Sequence, residues 1–495
     1  MFLVYFFDSK RSQMSPRGAP KKPIRAVNGR SPIRRKRSPL SVAERNTRAL
    51  RPATNRSFEP ILPIDHNRIL QSTWAQTGSL QTHALIATRA RNSSIFDSDR
   101  TEYLDFLGAA SSAILGYSNS GLIDCVTLTL SELSTHCSIY FPHRLLAPAI
   151  ALLASRTPGQ FQKRVALGLS GSDSIECAIK AVRKYRKTEL ILSFKGSFHG
   201  TGFLPQSVTH LIGSGTTDPN VRFVDFPDSI SHCTETLKSI SALLEADRFA
   251  GIILEPIQGD AGNIVPHPDF LSRLSRLAQH YGVPIIADEI QCGVARTGYL
   301  WASEAFGLIP DLLVAGKGLA GGYFPVSACI GREEILAALG PAEHAFTLAG
   351  HPVGCALMLH VFREIDKLDL LNEVRRKEIL LRKWYLKLRT DFEGQLQFEL
   401  HGRGLHFGLI VRTHDGMSIA TDIASHCLES GVLLGLLGLK NEVLRIHPPL
   451  IISDSDFTRG LNAIARACAA LVSPPSKRTH GQQNRIIRNG GFAHA

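Results

Sequence analysis

The sequence lacks the cysteine pairs that indicate a zinc framework or a disulfide scaffold. Its nine cysteines are scattered through 495 residues, and no two of them stand in a C-x-x-C pair. It also lacks an uninterrupted apolar run long enough to cross a bilayer. These absences argue against a metal site, a disulfide-stapled domain and a membrane-spanning protein. Unpaired thiols favour a reducing compartment, so we expect a cytoplasmic location.

Most of the chain also lacks an excess of either charge. The formal net charge is +13, but residues 1–56 contain fifteen Lys and Arg against two acids. The remaining residues are therefore formally neutral, which predicts neither a nucleic-acid nor a membrane partner for the body of the protein. A hydrophobic content of 44% and a charged content of 20% are typical of a large globular protein.

Residues 1–75 are rich in Arg, Ser and Pro and predict a basic, disordered N-terminal extension. Three alternatives stay open for this segment. The first is an extension without a role, or the product of an upstream start site with Met14 as another start. The second is a transit peptide, which would make the location organellar. The third is a nucleic-acid or nuclear-import patch centred on the basic block at 33–37.

From residue 165 onward, apolar strand patterns alternate with helical patterns. This alternation predicts an α/β fold with a doubly wound, mainly parallel sheet, followed by a smaller α+β unit. We expect five segments along the chain. They are the N-terminal extension (1–75), the first part of the small domain (76–115), the large domain (116–350), the remainder of the small domain (351–472) and a loose tail (473–495).

Four polar residues follow buried strands in this pattern: Glu255, Asp288, Gln291 and Lys317. Each has an ordinary explanation, since a strand-end Asp often caps a turn and a Lys is usually solvated. Together they lie where α/β sheets bind ligands, at the carboxyl ends of strands. A lysine between two glycines, 29 residues after a strand-end acid, suggests a pyridoxal 5'-phosphate site.

Two turns supply what such a site needs. The segment at 168–174 is a Gly/Ser turn that runs into a predicted helix, and a helix start offers free N–H groups to a phosphate. The alternative is an ordinary helix cap. The turn at 196–200 places Phe198 where it can stack on an aromatic ring, or simply pack beneath the turn.

These motifs together resemble the class III family of pyridoxal phosphate-dependent aminotransferases, of fold type I, over roughly residues 80–470. The matching segments are Ala287–Gln291 with Arg296–Gly298, Ala315–Leu319, Ser170–Asp173, Phe198–Gly200, Phe346–Pro352, Arg403–Leu405 and Leu444–Pro449. The resemblance implies a large domain that binds the cofactor, a smaller α+β domain, and an enzyme of amino-acid metabolism that transfers an amino group to a keto acid.

The resemblance also implies a role for each matched residue. Lys317 would hold the cofactor as an aldimine and later move the proton, while Asp288 would pair with the pyridinium nitrogen. Gln291 would contact the ring hydroxyl, with Arg445 as the clamp for the substrate carboxylate. The other residues implied at the cofactor are Gly171, Ser172, Phe198, His199, Glu255 and, from the partner subunit, Thr347. Because the site would combine residues of two subunits, the resemblance implies a homodimer, or a tetramer built from it.

Two departures from the family pattern concern the substrate. Thr201 follows the aromatic turn where members acting on ω-amino acids often have Arg, which counts against 4-aminobutyrate. Asp260 stands where many aminotransferases have Glu, and this resembles the branch containing amino-acid racemases and isoleucine 2-epimerase. A racemase benefits from a second acid/base opposite Lys317. The alternative is that Asp260 only hydrogen-bonds a loop.

Three hypotheses follow from the sequence. The first is an aminotransferase acting on a small or apolar amino acid. The second is a racemase or epimerase that uses Lys317 and Asp260. The third is a catalytically silent binding protein whose basic arm contacts nucleic acid or a membrane.

Overall fold

Two stretches of the chain, residues 85–211 and 218–472, are described in the computed structural model. The expected extension at 1–75, the start of the segment 76–115 and the expected tail at 473–495 lie outside the described residues. Within the described stretches, no helix is long and apolar enough to span a bilayer.

The strands follow in chain order. They are β1 Arg89–Arg91, β2 Ser94–Phe96, β3 Glu102–Asp105, β4 Lys163–Gly168, β5 Leu190–Phe194, β6 Val221–Val224, β7 Phe249–Leu254, β8 Ile285–Asp288, β9 Leu312–Ala315, β10 Ser327–Arg332, β11 Leu396–Arg403, β12 His406–Thr413, β13 Val432–Leu433, β14 Gly435–Leu437 and β15 Val443–Ile446.

The α-helices are numbered in the same way. They are α1 Ser120–Glu132, α2 Leu146–Arg156, α3 Gly171–Arg186, α4 Phe203–Ser207, α5 Ile230–Ala246, α6 Phe270–Tyr281, α7 Glu333–Leu336, α8 Pro352–Lys367, α9 Leu370–Asp391, α10 Ala420–Glu429 and α11 Asp454–Val472. Short 3-10 turns lie at Ala302–Phe306 and Lys317–Ala320.

A seven-stranded sheet forms the centre of the molecule, in the order β4-β10-β9-β8-β7-β5-β6. The neighbours from β9 to β6 pair in parallel, and β10 runs antiparallel to both β4 and β9. Strands β7, β8 and β9 are fully buried, as expected of strands covered by helices on both faces. The predicted α/β fold with a mainly parallel sheet is therefore confirmed.

The register of this sheet brings the polar strand ends together. Asp288, the last residue of β8, pairs with Val314 of β9. Lys317 follows β9 by only two residues. Because parallel strands end at the same edge of a sheet, both side chains lie at its carboxyl edge.

Two smaller sheets complete the fold. Strands β1, β2 and β3 form antiparallel pairs, and β13 joins β3 in parallel. Strands β2 and β3 form a hairpin. Strands β11, β12, β15 and β14 form the second small sheet, in which Arg445 of β15 lies between Gly408 and Gly435. The division of the chain at residues 116 and 351 stays a prediction.

Candidate active site

A cavity of about 200 Å³ opens at the carboxyl edge of the central sheet. Its lining residues are Ser170, Gly171, Ser172, Phe198, His199, Gly200, Glu255, Asp288, Ile290, Gln291 and Lys317. A larger cavity of about 870 Å³ lies beside β6 and α5 and contains none of the predicted site residues. The smaller cavity is the candidate active site because it combines a lysine, two carboxyl groups and a helix start.

Lys317 begins the 3-10 turn after β9 with a φ of +43°. This left-handed conformation is uncommon for a residue with a side chain, and such strain concentrates at functional sites. Burial lowers the pKa of the amine, and nearby Arg445 lowers it further, although the carboxylates of Asp260 and Asp288 act in the opposite direction. A larger fraction of the amine is therefore neutral and nucleophilic than in water.

Asp288 is held in place by two hydrogen bonds. Its Oδ2 lies 2.8 Å from Nδ1 of His199, and its Oδ1 accepts from the backbone N–H of Ile290 at 3.1 Å. Because a carboxylate can only accept, His199 carries its proton on Nδ1 and donates it. Asp288 and His199 are both buried, so the pair fixes the orientation of the acid in the cavity.

Glu255 connects the two turns that frame the site. Its Oε1 accepts from the N–H of Phe198 at 3.0 Å, and its Oε2 accepts from the N–H of Gly259 at 2.9 Å. Burial raises the pKa of Glu255 well above its usual range, and the neighbouring Asp288 raises it further. The folded site therefore favours the protonated form of Glu255 more than water does.

The start of α3 forms one wall of the cavity. Ser170 caps the helix in a reciprocal capping box with Asp173, which leaves the N–H groups of Gly171 and Ser172 directed past the helix end. A Cβ on Gly171 would lie 2.7 Å from Cδ1 of Ile290. The helix start can approach Ile290 this closely only with glycine at that position.

Asp260 and Arg445 form a partly buried ion pair beside the cavity. Asp260 Oδ1 lies 2.6 Å from Arg445 Nη2 and accepts a hydrogen bond from Gln291 Nε2 at 3.3 Å. Burial alone would raise the pKa of Asp260, but the positive charges of Arg445 and Lys317 outweigh it and hold the pKa below its ordinary value. Burial also lowers the pKa of Arg445. The sequence predicted both residues but not their direct contact.

The structure brings most of the predicted site residues to one place. Those that line the cavity are Gly171, Ser172, Phe198, His199, Glu255, Asp288, Gln291 and Lys317. Asp260 and Arg445 lie next to it through Gln291, whereas Thr347 is exposed in the loop before α8 and does not line the cavity.

Sequence reasoning missed a buried polar cluster next to Arg445, formed by His406, His447, Asn263 and Ser111. The available signal was the histidine two residues after Arg445. Its partners come from three distant parts of the chain, and no sequence pattern joins them.

Comparisons with known proteins agree with the geometry. The family model described as aminotransferase class-III matches residues 75–468. The leucine/methionine racemase of Thermococcus litoralis is 32% identical over 78% of this chain and 90% of its own length. The 5-aminovalerate aminotransferase of Pseudomonas aeruginosa is 31% identical over 79% of this chain and 95% of its own. The isoleucine 2-epimerase of Lentilactobacillus buchneri is 28% identical over 80% and 93%.

Solved structures share the fold at lower identity. The ornithine aminotransferase of Toxoplasma gondii, in a structure with partial occupancy of pyridoxal phosphate at its active site, has a TM-score of 0.70 at 24% identity. That match covers 82% of this chain and 93% of the other. The family implies pyridoxal phosphate as the cofactor and amino and keto acids as substrates. On the extent of the family match and the identity to curated relatives, this chain belongs to the class-III aminotransferase family.

Proposed function

We propose that this enzyme transfers the amino group of an amino acid with a small or apolar side chain, using pyridoxal phosphate held by Lys317. The observation that carries the proposal is the shared cavity of Lys317, Asp288 and the start of α3. These groups match an aldehyde, a ring nitrogen and a phosphate, which are the three polar parts of that cofactor.

The residues of the cavity fit the cofactor group by group. The amides of Gly171 and Ser172 at the positive end of the α3 dipole would hold the phosphate. Phe198 supplies an aromatic face, and Gln291 Oε1 is a buried acceptor with no hydrogen-bond partner among the described residues. Once bound, pyridoxal phosphate supplies an aldehyde that reacts with amines and a ring that takes up electrons released at the substrate Cα.

Lys317 would do two jobs in this reaction. The neutral amine, favoured by burial, is the nucleophile that attaches the cofactor. Once a substrate amino group had replaced it, the same amine would be free to take up and return the proton at the substrate Cα. Its position on a short, glycine-flanked turn keeps the amine at the end of β9.

Asp288 would hold the proton on the ring nitrogen. The hydrogen bond from His199 Nδ1 fixes the orientation of the carboxylate in the cavity, and a protonated ring would accept electrons more readily. Burial and the charge of Asp288 raise the pKa of Glu255, so its protonated form is favoured there relative to water.

Arg445 would bind the substrate carboxylate. It is buried and supported by the small sheet, and a planar guanidinium meets a carboxylate in two parallel hydrogen bonds. In the present structure Asp260 takes that place, so a substrate carboxylate must compete with Asp260 for Arg445. Thr201, in place of Arg, leaves no second cation at that position for an ω-carboxylate, which favours a small or apolar side chain.

A homodimer is part of this proposal, with Thr347 acting in the site of the partner subunit. Three consecutive apolar residues, Ile139, Tyr140 and Phe141, are exposed. They are close in sequence to Ser138 and His143, which both hydrogen-bond to Gly350 O, three residues after Thr347. Large exposed apolar patches often mark subunit interfaces.

Subunit complementation tests the shared site. The Lys317→Ala chain, inactive alone, and the Thr347→Asp chain, weakly active alone, should regain activity when refolded together, because one of the two sites in a mixed dimer is then complete. A mixture no more active than its components would contradict a shared site.

Racemisation is the second candidate function, and the position of Asp260 favours it. Asp260 reaches Gln291 in the cavity wall, and its charge influences the pKa of Lys317. A leucine/methionine racemase and an isoleucine 2-epimerase are among the relatives. Asp260 would serve as the second acid/base only after leaving Arg445, since the ion pair holds its pKa low.

The cofactor assignment is tested by spectroscopy. Purified protein supplied with pyridoxal phosphate should develop a long-wavelength absorbance that Lys317→Ala abolishes. A wild-type protein that stays colourless after the addition would overturn both candidate functions.

We also propose a cytoplasmic location, supported by free thiols at all nine cysteines. A fluorescent fusion found only in an organelle would contradict this location.

A further inference from the structure

A pair of buried imidazoles lies next to Arg445. His447 follows Arg445 by two residues, and His406 opens β12, the strand paired with β15. Both side chains are fully buried, with ring centroids 4.3 Å apart. Burial is the main cause that lowers the pKa of both histidines well below the usual range; nearby positive charges add to it for both, and the His406 ring adds to it for His447 alone. Both rings are therefore neutral at physiological pH.

The hydrogen bonds of His447 define its tautomer. Its Nε2 lies 2.9 Å from Nδ2 of Asn263, and its Nδ1 lies 2.7 Å from Oγ of Ser111. An amide NH₂ group can only donate, so Nε2 of His447 accepts. The proton of the neutral ring is then on Nδ1 and is donated to Ser111. The ring thus joins three separate segments of the chain.

Asn263 connects this imidazole to Asp260. The loop after β7 is closed by a hydrogen bond from Asn263 N to Gly259 O at 3.0 Å, and Asp260 O accepts from Gly438 N at 2.9 Å. The bond between His447 and Asn263 therefore fixes the loop that presents Asp260. Arg445, by contrast, is supported through the backbone of β15 by its two neighbouring strands. Loss of that bond should loosen Asp260 more than Arg445.

We propose that His447 is a positioning residue that holds Asp260 against Arg445, so that the guanidinium is released only when a substrate carboxylate competes for it. This inference rests on the proposed role of Arg445 as the carboxylate clamp. His406 contributes no such bond, since neither of its ring nitrogens has a hydrogen-bond partner among the described residues. It is therefore the matched control for the same buried pair.

Damage to His447 should strengthen carboxylate binding. Loosening Asp260 removes part of the competition for Arg445, whereas general structural damage would weaken binding. One buried hydrogen bond corresponds to an affinity change of about fivefold. The probe is 4-methylpentanoate, which carries the carboxylate and side chain of leucine but has no amino group to react.

The test is calorimetric titration of the holoenzyme with 4-methylpentanoate. His447→Asn keeps a donor near Ser111 and loses the acceptor for Asn263, so its Kd should fall about fivefold. His447→Gln places an oxygen near the Nε2 position, and its Kd should stay within about twofold of wild type. His406→Phe should also match wild type. Unfolding temperature and cofactor absorbance are recorded for every variant.

Two outcomes separate this inference from the function on which it rests. Arg445→Gln should raise the Kd; if it does not, or if the wild-type enzyme does not bind the probe, the clamp itself is wrong and the inference falls with it. If Arg445→Gln raises the Kd while His447→Asn leaves it unchanged or raises it, only the positioning role is wrong. Should His447→Asn fail to fold, Asn263→Ala removes the same bond and is judged by the same criterion.

Discussion

Asp260 is the residue on which the two candidate chemistries differ, and its ion pair with Arg445 can be tested directly. Because its folded pKa lies below 3.8, the pair stabilises the fold at every pH above that value, and the stabilisation is lost as the pH falls through the lowered pKa. Asp260→Asn should lower the free energy of unfolding by about 2 kcal/mol at pH 7.

Urea denaturation of the two proteins at several pH values measures this effect. The difference between wild type and Asp260→Asn should be constant near neutral pH and shrink in acid. Half-reactions that form keto acid should persist in the variant, because Lys317 alone moves that proton. A difference that grows in acid would contradict the ionised pair.

Glu289 provides a second residue-level prediction, in which stability depends on pH in the opposite direction. Its two oxygens accept from Ala302 N at 2.8 Å and Ser303 N at 2.7 Å, and burial raises its pKa to about 7. The folded state therefore binds a proton more tightly than the unfolded chain. The associated stability is complete below pH 4.5 and is lost as the pH rises through about 7.

Glu289→Gln mimics the protonated acid and should remove this dependence. Relative to wild type, the variant should gain about 3 kcal/mol between pH 4.5 and pH 8, which is the size of a shift from 4.5 to about 7. Denaturant unfolding at both pH values gives the comparison. A constant difference between the two proteins would mean that Glu289 does not titrate in this range.

Single residues also show where sequence reasoning succeeds. Lys317 and Asp288 could be predicted because strand ends are local features and parallel strands share an edge. The contacts of Asp260 with Arg445 and of Asn263 with His447 join segments that are 185 and 184 residues apart in the sequence. Such contacts depend on how the small sheet packs on the large one, which no local pattern encodes.

At the scale of elements, helix α3 carries the proposed phosphate site. The contribution of its N-terminal cap to cofactor binding can be measured separately from its contribution to stability. Ser170→Ala removes the cap and should cost about 1 kcal/mol of unfolding free energy. It should also weaken the affinity for pyridoxal phosphate several-fold, because the first amides lose their fixed direction.

Ser229 is the matched control. Its hydroxyl caps α5 by accepting from His232 N, and neither residue lines the candidate active site. Ser229→Ala should cost similar stability without changing cofactor affinity. Absorbance titration and denaturant unfolding of both variants provide the measurements. Equal effects on cofactor affinity would argue against a phosphate site at α3.

The elements themselves were predictable to different degrees. Helices α3, α6, α8 and α9 and the buried parallel strands follow from apolar periodicity. The antiparallel direction of β10 was not predictable, because direction depends on the path of the preceding chain. The turn at 108–111, with φ values of +59°, +48°, +53° and +74°, was also missed. Asp105 stabilises it by accepting from Leu107 N and Gly108 N, a tertiary effect that propensity does not show.

At the scale of the whole molecule, the N-terminal segment is strongly basic whereas the rest of the chain is formally neutral, and we expect the two parts to act independently. Removal of residues 1–56 should leave kcat/KM within about twofold of the full chain, since every candidate site residue lies beyond them. It should also abolish salt-sensitive retention on heparin, if the full chain shows any. A large loss of activity would contradict the separation.

The central claim, transamination at Lys317 of an apolar amino acid, is tested most directly by a single half-reaction. The holoenzyme is mixed with excess L-leucine without a keto acid, and both keto acid and the optical rotation of the remaining leucine are followed. We predict one equivalent of keto acid per site, unchanged rotation, and neither product nor rotation change with Lys317→Ala. Loss of rotation without stoichiometric keto acid would contradict the claim and identify a racemase.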